Sequence, residues 1–264
     1  MIFSPKIHEK LEYFHDKYNN SDFIDGDPIS IPHMFSGKQD IEISGFLTSV
    51  IAWGRRSMII KNATDLMVLM DKAPYDFIKN HQEYERKKFI DFKHRTFQAT
   101  DILYFLEFLQ WFYKNNESLE NAFLTKKESN GFEMKYSLEK FHEFFFSLES
   151  APHRTKKHIP TPLRKSTCKR LNMFLRWMVR ADDRGVDFGI WKNLSPVDLM
   201  IPIDVHVERY ARKFGLLDRK QRDWQAVEEL TENLRIYDKQ DPVKYDFSLF
   251  GIGVMEGEDD LFFE

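Results

Sequence analysis

The sequence predicts an all-α protein, on three observations. Apolar residues recur at helical spacing through nearly the whole chain. No alternating run longer than about four residues stands out as a strand. The 25 phenylalanines are well above ordinary usage and point to a helical core filled by aromatic rings rather than branched aliphatics.

The elements follow in order. Ser4 and Pro5 mark a helix start, and Lys6–Tyr18 carries Ile7, Leu11, Phe14 and Tyr18 on one face. Asn19–Gly37, with D-G-D-P and further breakers, is a loop. Asp40–Trp53 is a strongly apolar helix that ends at Gly54. Arg55 and Arg56 turn the chain into Ser57–Met70, whose inner side is Ile59, Ile60, Ala63, Leu66, Met67 and Met70. Pro74–Lys79 is a short helix, and Glu83–Arg95 is a charged stretch of no clear period. Thr100 or Asp101 caps Ile102–Tyr113, with Phe105, Leu106, Leu109 and Phe112 as its stripe. Ser118–Leu124 is short, and K-K-E-S-N-G at 126–131 is an exposed loop. Ser137–Leu148 carries Phe141, Phe144 and Phe145.

The stretch from Lys169 to Gly215 organises the rest. K-R-L-N-M-F-L-R-W-M-V-R at Lys169–Arg180 is an amphipathic helix with a lysine in its first turn. I-P-I-D-V-H-V-E-R-Y-A-R-K-F-G at Ile201–Gly215 is an apolar approach, an acid at Asp204 and a second amphipathic helix closed by Gly215. Val205, Tyr210, Ala211 and Phe214 are expected inward, and Glu208, Arg209, Arg212 and Lys213 outward. A lysine and an aspartate, each starting a helix, can bring an amine and a carboxylate into one cleft.

Charge adds a partner. Residues 151–180 hold nine Lys or Arg (Arg154, Lys156, Lys157, Arg164, Lys165, Lys169, Arg170, Arg176, Arg180) and no Asp or Glu, while acid gathers at Glu256–Asp260. With a net charge of -3 the chain is not a polycation, so any nucleic-acid surface is local. The alternative is a solvated basic helix. A chain of 264 residues is long enough for one large domain or two lobes. The single cysteine, Cys168, excludes a disulfide framework and a four-cysteine iron–sulfur cluster. The opening M-I-F-S-P-K-I-H-E-K lacks a signal peptide's apolar run, and Ile43–Gly54 is too short to span a bilayer. A cytoplasmic protein without a membrane partner or cofactor is expected; protein partners are not indicated.

At Asp204, His206, Val207, Arg209, Gly215 and Leu216 the chain resembles the helix–hairpin–helix DNA glycosylases, the endonuclease III and 8-oxoguanine glycosylase superfamily. K-R-L-N-M-F-L at Lys169–Leu175 fits that family's run K-T-A-N-V-V-L, whose lysine opens a helix. The strings K-R-L-N-M-F-L-R-W-M and P-x-D-V-H-V also look like those of uncharacterised bacterial proteins grouped as a domain of unknown function. The superfamily resemblance implies a two-lobed glycosylase-like fold with a cleft between the lobes. One lobe takes about residues 55–200, with a hairpin-like region at 155–180; the other takes 1–54 and 201–264. It implies a DNA-repair enzyme acting on a damaged base, with DNA contact through 151–180.

Cleaving an N-glycosidic bond requires a flipped base and negative charge near the developing sugar cation. Asp204 is the candidate for that charge, and Lys169 for attack on C1′ with Schiff-base formation, making a bifunctional glycosylase with lyase activity. Asp204 alone makes a monofunctional one. Each residue has a plainer reading: Asp204 as an N-cap, and Lys169 as one basic residue of nine with Lys165 as fallback. His206 braces the cleft or meets a phosphate; no second metal ligand stands at helical spacing. Trp53, Arg55 and Arg56 fall where the family fills the gap left by a flipped base, or form a core tryptophan beside surface arginines. In D-P-V-K-Y-D-F-S-L-F-G at Asp241–Gly251, Phe247 and Phe250 line either a base pocket or the core.

Two departures stand out. Where the family has a glycine-rich hairpin, this chain has T-P-L-R-K-S-T-C-K at Thr161–Lys169, so Arg164, Lys165 or Ser166 must replace bare backbone at a phosphate; Arg170 follows them. Asp204 follows Lys169 by 35 positions, longer than usual, with R-G-V-D-F-G-I-W as a loop or short helix near the site. A similar interval in the archaeal 8-oxoguanine branch tilts the expectation weakly toward an oxidised purine. The runner-up expectations are a nucleic-acid-binding protein without chemistry and an enzyme acting on a free nucleoside or nucleotide.

Overall fold

The structure, a computed structural model, describes residues 2–125 and 133–256. The loop at 126–131 and the acids after Glu256 lie outside these residues. Among the described residues the α-helices are α1 Pro5–Tyr18, α2 Lys38–Ile51, α3 Arg56–Leu69, α4 Pro74–Asn80, α5 Ala99–Tyr113, α6 Met134–Phe145, α7 Lys169–Val179, α8 Val205–Lys213, α9 Trp224–Arg235 and α10 Asp246–Gly251. Short 3-10 turns link them, and one antiparallel pair, β1 Lys93–His94 and β2 Phe97–Gln98, sets Lys93 opposite Gln98. The protein is thus mostly helical. No described helix is long and apolar enough to cross a membrane. Contacts divide the chain into two units, Met1–Phe23 with Thr161–Glu264, and Ile24–Pro160.

The Ile24–Pro160 unit is built on α2, whose residues Ile41–Ile51 are all buried. Its aromatic core forms as the phenylalanine count predicts: Phe46 meets Phe105 and Phe145, and Phe108 lies 4.3 Å from Phe145 between ring centres. Glu42 survives inside this core because Tyr113 Oη, Ser118 Oγ and the Leu119 amide all donate to it.

The start of α5 differs from the expectation. Gln98 is the N-cap, not Thr100 or Asp101, and Asp101 stands at the third position, reaching back to the Gln98 amide. Asp101 also accepts from Thr155 Oγ1 at 2.7 Å and Arg154 Nη1 at 2.6 Å, and faces His158 Nε2 at 3.3 Å. Burial opposes its ionisation, but these donors outweigh burial and hold the carboxyl near 2. The charged stretch after Glu83 becomes a 3-10 turn, Glu83–Phe89, followed by the β1–β2 hairpin. Strands of two residues leave no period to read.

In the other unit, α1 begins where Ser4 accepts from the Ile7 amide, and it packs on α10, which also packs on α8. Gly251 makes the α1–α10 approach possible, since a Cβ there would lie 2.2 Å from Tyr18 Cδ2. Gly251→Ala is therefore expected to cost about 1–3 kcal/mol through displacement of a buried ring. Denaturant unfolding measures it, and an unchanged midpoint would contradict this packing.

The inward face of α8 is Val207, Tyr210, Ala211 and Phe214. Val205, expected inward, is 54% exposed. It occupies the first helical position, and the buried stripe starts two residues later at Val207. Gly215, with φ of +66°, ends the helix as expected.

Candidate active site

The approach to α7 makes tight turns without glycine. Thr161 caps a 3-10 turn over Pro162–Arg164, and Ser166 Oγ accepts from the Cys168 amide. Lys165 and Cys168 hold φ of +57° and +51°, left-handed backbone that normally falls to glycine. Lys169 then opens α7.

Asp204 is delivered by the buried run Ile201–Ile203, anchored where the Ile201 amide donates to Thr231 Oγ1 on α9. Its Oδ1 accepts from the His206 and Val207 amides at 2.8 and 2.9 Å, capping α8. Its Oδ2 lies 3.8 Å from Lys169 Nζ. The cap and the pairing therefore use different oxygens and coexist. The Lys169 and Asp204 side chains are 29% and 17% exposed, so the pair is open to a ligand.

Behind Lys169, Asn172 and Arg176 follow on α7 at steps of three and seven residues, and Arg180, the residue that ends the helix, follows at eleven on the same side. All three are buried. Arg176 pairs with Asp246 and Asp187. Arg180 pairs with Asp182 and Asp241 at 2.7 Å and Asp187 at 3.2 Å. This corrects one expectation: of the nine basic residues in 151–180, Arg176 and Arg180 face inward to carboxylates rather than outward to an anion. Arg154 serves Asp101. Arg164 and Lys165 are exposed, and Arg170 is half-buried, its guanidinium pulled down to about 10 by burial.

His206 is a brace. Its ring lies edge-on to Phe250 and against Gly253, where a Cβ would approach His206 Cβ to 2.6 Å. Among the described residues no group of three or more His, Cys, Asp or Glu could hold a metal ion. Phe247 is fully buried against Phe23, with the Arg176 guanidinium 4.3 Å from its ring, so it packs the core rather than lining a base pocket. Phe250 is half-buried beside His206.

Trp53, Arg55 and Arg56 belong to the Ile24–Pro160 unit. Trp53 is half-buried, stacked on His158 at 5.8 Å and edge-on to His94 at 5.0 Å. Arg55 is exposed and Arg56 half-buried. Gly54, at φ of +99°, lets the Arg95 side chain cross the turn.

Sequence reading missed Asp246, which closes the polar face of α7 through Arg176. The available signal was an acid inside the apolar string Y-D-F-S-L-F. The model of a family described as "Protein of unknown function (DUF2400)" matches residues 27–255. No curated protein and no solved structure matches the chain.

Proposed function

The chain belongs to this family of unknown function, and from its own site we propose that it is a DNA base-excision enzyme with a helix–hairpin–helix glycosylase-like fold. It removes a damaged base, with an oxidised purine as the preferred class. The observation that carries this reading is the 3.8 Å approach of Lys169 and Asp204, two accessible side chains that each start a helix.

In the proposed reaction the free amine of Lys169 attacks C1′ as the C1′–N bond breaks, and the base leaves with the bonding electrons and takes a proton. Opening of the sugar ring leaves a Schiff base, from which elimination can cut the strand. The Asp204 carboxylate, fixed by two amides, faces the positive charge that develops on the sugar. Arg164, Lys165 and Arg170 are the proposed phosphate contacts beside the nucleophile, with Trp53, Arg55 and Arg56 as further DNA contacts. The missing glycines make side chains, rather than bare amides, the phosphate ligands at the α7 turn.

Borohydride trapping tests the proposal, on oligonucleotides carrying 8-oxoguanine, uracil, alkylated bases or an abasic site. Wild type is expected to leave a covalent adduct that Lys169→Ala abolishes. An adduct that persists in Lys169→Ala would move the nucleophile elsewhere, Lys165 first; no adduct or excision on any substrate would sink the catalytic reading.

The inward turn of Arg176 and Arg180 supports a second reading, an enzyme acting on a free nucleoside or nucleotide. Such an enzyme needs fewer phosphate contacts. Binding to duplex DNA whose affinity hardly changes with salt would favour it, because each phosphate contact adds about one unit to the salt slope.

A further inference from the structure

A cleft of about 860 Å³ opens on the Ile24–Pro160 unit, lined by the Glu83–Phe89 turn, α5 and the segment at Ser150 and Pro152. It contains none of the residues proposed above for catalysis or DNA contact. Its volume falls within the range of small-ligand sites. Arg86 and Lys87 bring two cations to it, Tyr84 an aromatic ring, and Leu103 and Pro152 an apolar surface.

Arg86 is the unusual group. It is half-buried, and among the described residues no carboxylate pairs with it. Arg154, Arg176, Arg180 and Arg184 each meet one. Two neutral side chains hold Arg86 instead: Nε donates to His81 Nε2 at 2.9 Å, and Nη2 donates to Gln110 Oε1 at 3.0 Å. Both acceptors are themselves fixed. His81 Nδ1 donates to the Phe77 carbonyl and Gln110 Nε2 to the His81 carbonyl, each at 2.9 Å. Burial, with Arg86 adding to it, holds His81 below its ordinary value against the pull of the Phe77 carbonyl, so Nε2 stays an acceptor. The guanidinium is therefore oriented without being neutralised. A cation fixed in this way takes an anion at little further cost in side-chain freedom. Lys87, exposed and also without a carboxylate among the described residues, adds a second positive charge.

The rest of the lining selects among anions. Tyr84 is 68% exposed and offers a ring on which a base can stack. Glu107 accepts from Ser150 Oγ at 2.8 Å through Oε1, and its Oε2 can accept from a sugar hydroxyl or a base amino group. Glu83 and Glu107 also oppose a polyanion, so the cleft suits one nucleotide rather than a strand. We infer that this cleft binds a single nucleotide, with its phosphate on Arg86 and Lys87 and its base against Tyr84. Binding there requires nothing of Lys169 and Asp204, which belong to the other unit.

Isothermal titration calorimetry of the full-length protein tests the site. The probes are 5′-AMP, 5′-GMP, 5′-CMP and 5′-UMP, each beside its nucleoside, with inorganic phosphate and a single-stranded DNA tetramer as comparisons. At least one nucleotide is expected to bind about tenfold or more tightly than its nucleoside or phosphate, since each of these lacks one anchor. Arg86→Gln is expected to weaken that nucleotide by at least about tenfold and Tyr84→Ala by at least about fivefold, while Lys169→Ala leaves it unchanged. Tyr84 is exposed, so its variant keeps the site testable if Arg86→Gln does not fold. No saturable binding of any of the four nucleotides at millimolar concentration overturns the inference. Binding that survives both Arg86→Gln and Tyr84→Ala, or is lost only in Lys169→Ala, overturns it as well. Phosphate or the tetramer binding as tightly as the best nucleotide overturns the single-nucleotide assignment. Borohydride trapping reports on Lys169 separately, so neither result decides the other.

Discussion

Asp204→Asn is expected to abolish the proposed base excision while leaving the fold nearly as stable as wild type. Asparagine caps helices about as well as aspartate, and its side-chain oxygen can accept from the same His206 and Val207 amides. It carries no charge to place against a sugar cation. Loss of such a preorganised interaction costs on the order of 10²–10³ in rate. Asp204→Ala removes the cap as well and is expected to lower stability by about 1 kcal/mol more. Single-turnover excision and denaturant unfolding of both variants separate the roles. If Asp204→Asn excises at the wild-type rate, Asp204 is a cap and nothing further.

Arg180→Ala is expected to have the largest effect on stability, about 3–5 kcal/mol. Arg180 is 2% exposed and faces Asp182, Asp187 and Asp241, so its removal takes a buried cation from all three; Asp187 keeps Arg176 and Asp182 keeps Asn19, while Asp241 loses its cation outright. The deficit has a predictable pH dependence. Burial already raises the Asp241 carboxyl against the pull of Arg180, and without that cation it rises further above its unfolded value. It then binds a proton more readily folded than unfolded, and the variant's stability falls as pH rises through that interval. The gap between wild type and Arg180→Ala is therefore expected to be smaller at about pH 5 than at about pH 8, measured by thermal or urea unfolding at both. A gap that widens on acidification would contradict the assignment of these pairs.

Much of the local architecture was legible because helical signals are local. Ser4 and Pro5 marked the start of α1, Gly215 closed α8, and the stripe Ile59, Ala63, Leu66 and Met67 set the buried side of α3. The misreadings were local competitions that sequence leaves open. Gln98 won the cap of α5 over Thr100 and Asp101 once Asp101 was drawn to Thr155 and Arg154, more than fifty residues on. Val205 and Val207 are both apolar and only two residues apart, and packing chose the second.

The candidate site divides the same way. A lysine at the first position of α7 and an aspartate capping α8 were determined by the sequence alone, because a helix start depends on a few neighbouring residues and their amides. That the two side chains come within 3.8 Å was decided by tertiary structure. So was the direction of Arg176 and Arg180, which looked like part of a basic surface within residues 151–180. Their partners Asp246 and Asp241 lie 70 and 61 residues further along. A charge run records which residues are cationic; whether each meets an anion outside or a carboxylate inside depends on which acids the packed helices carry to it.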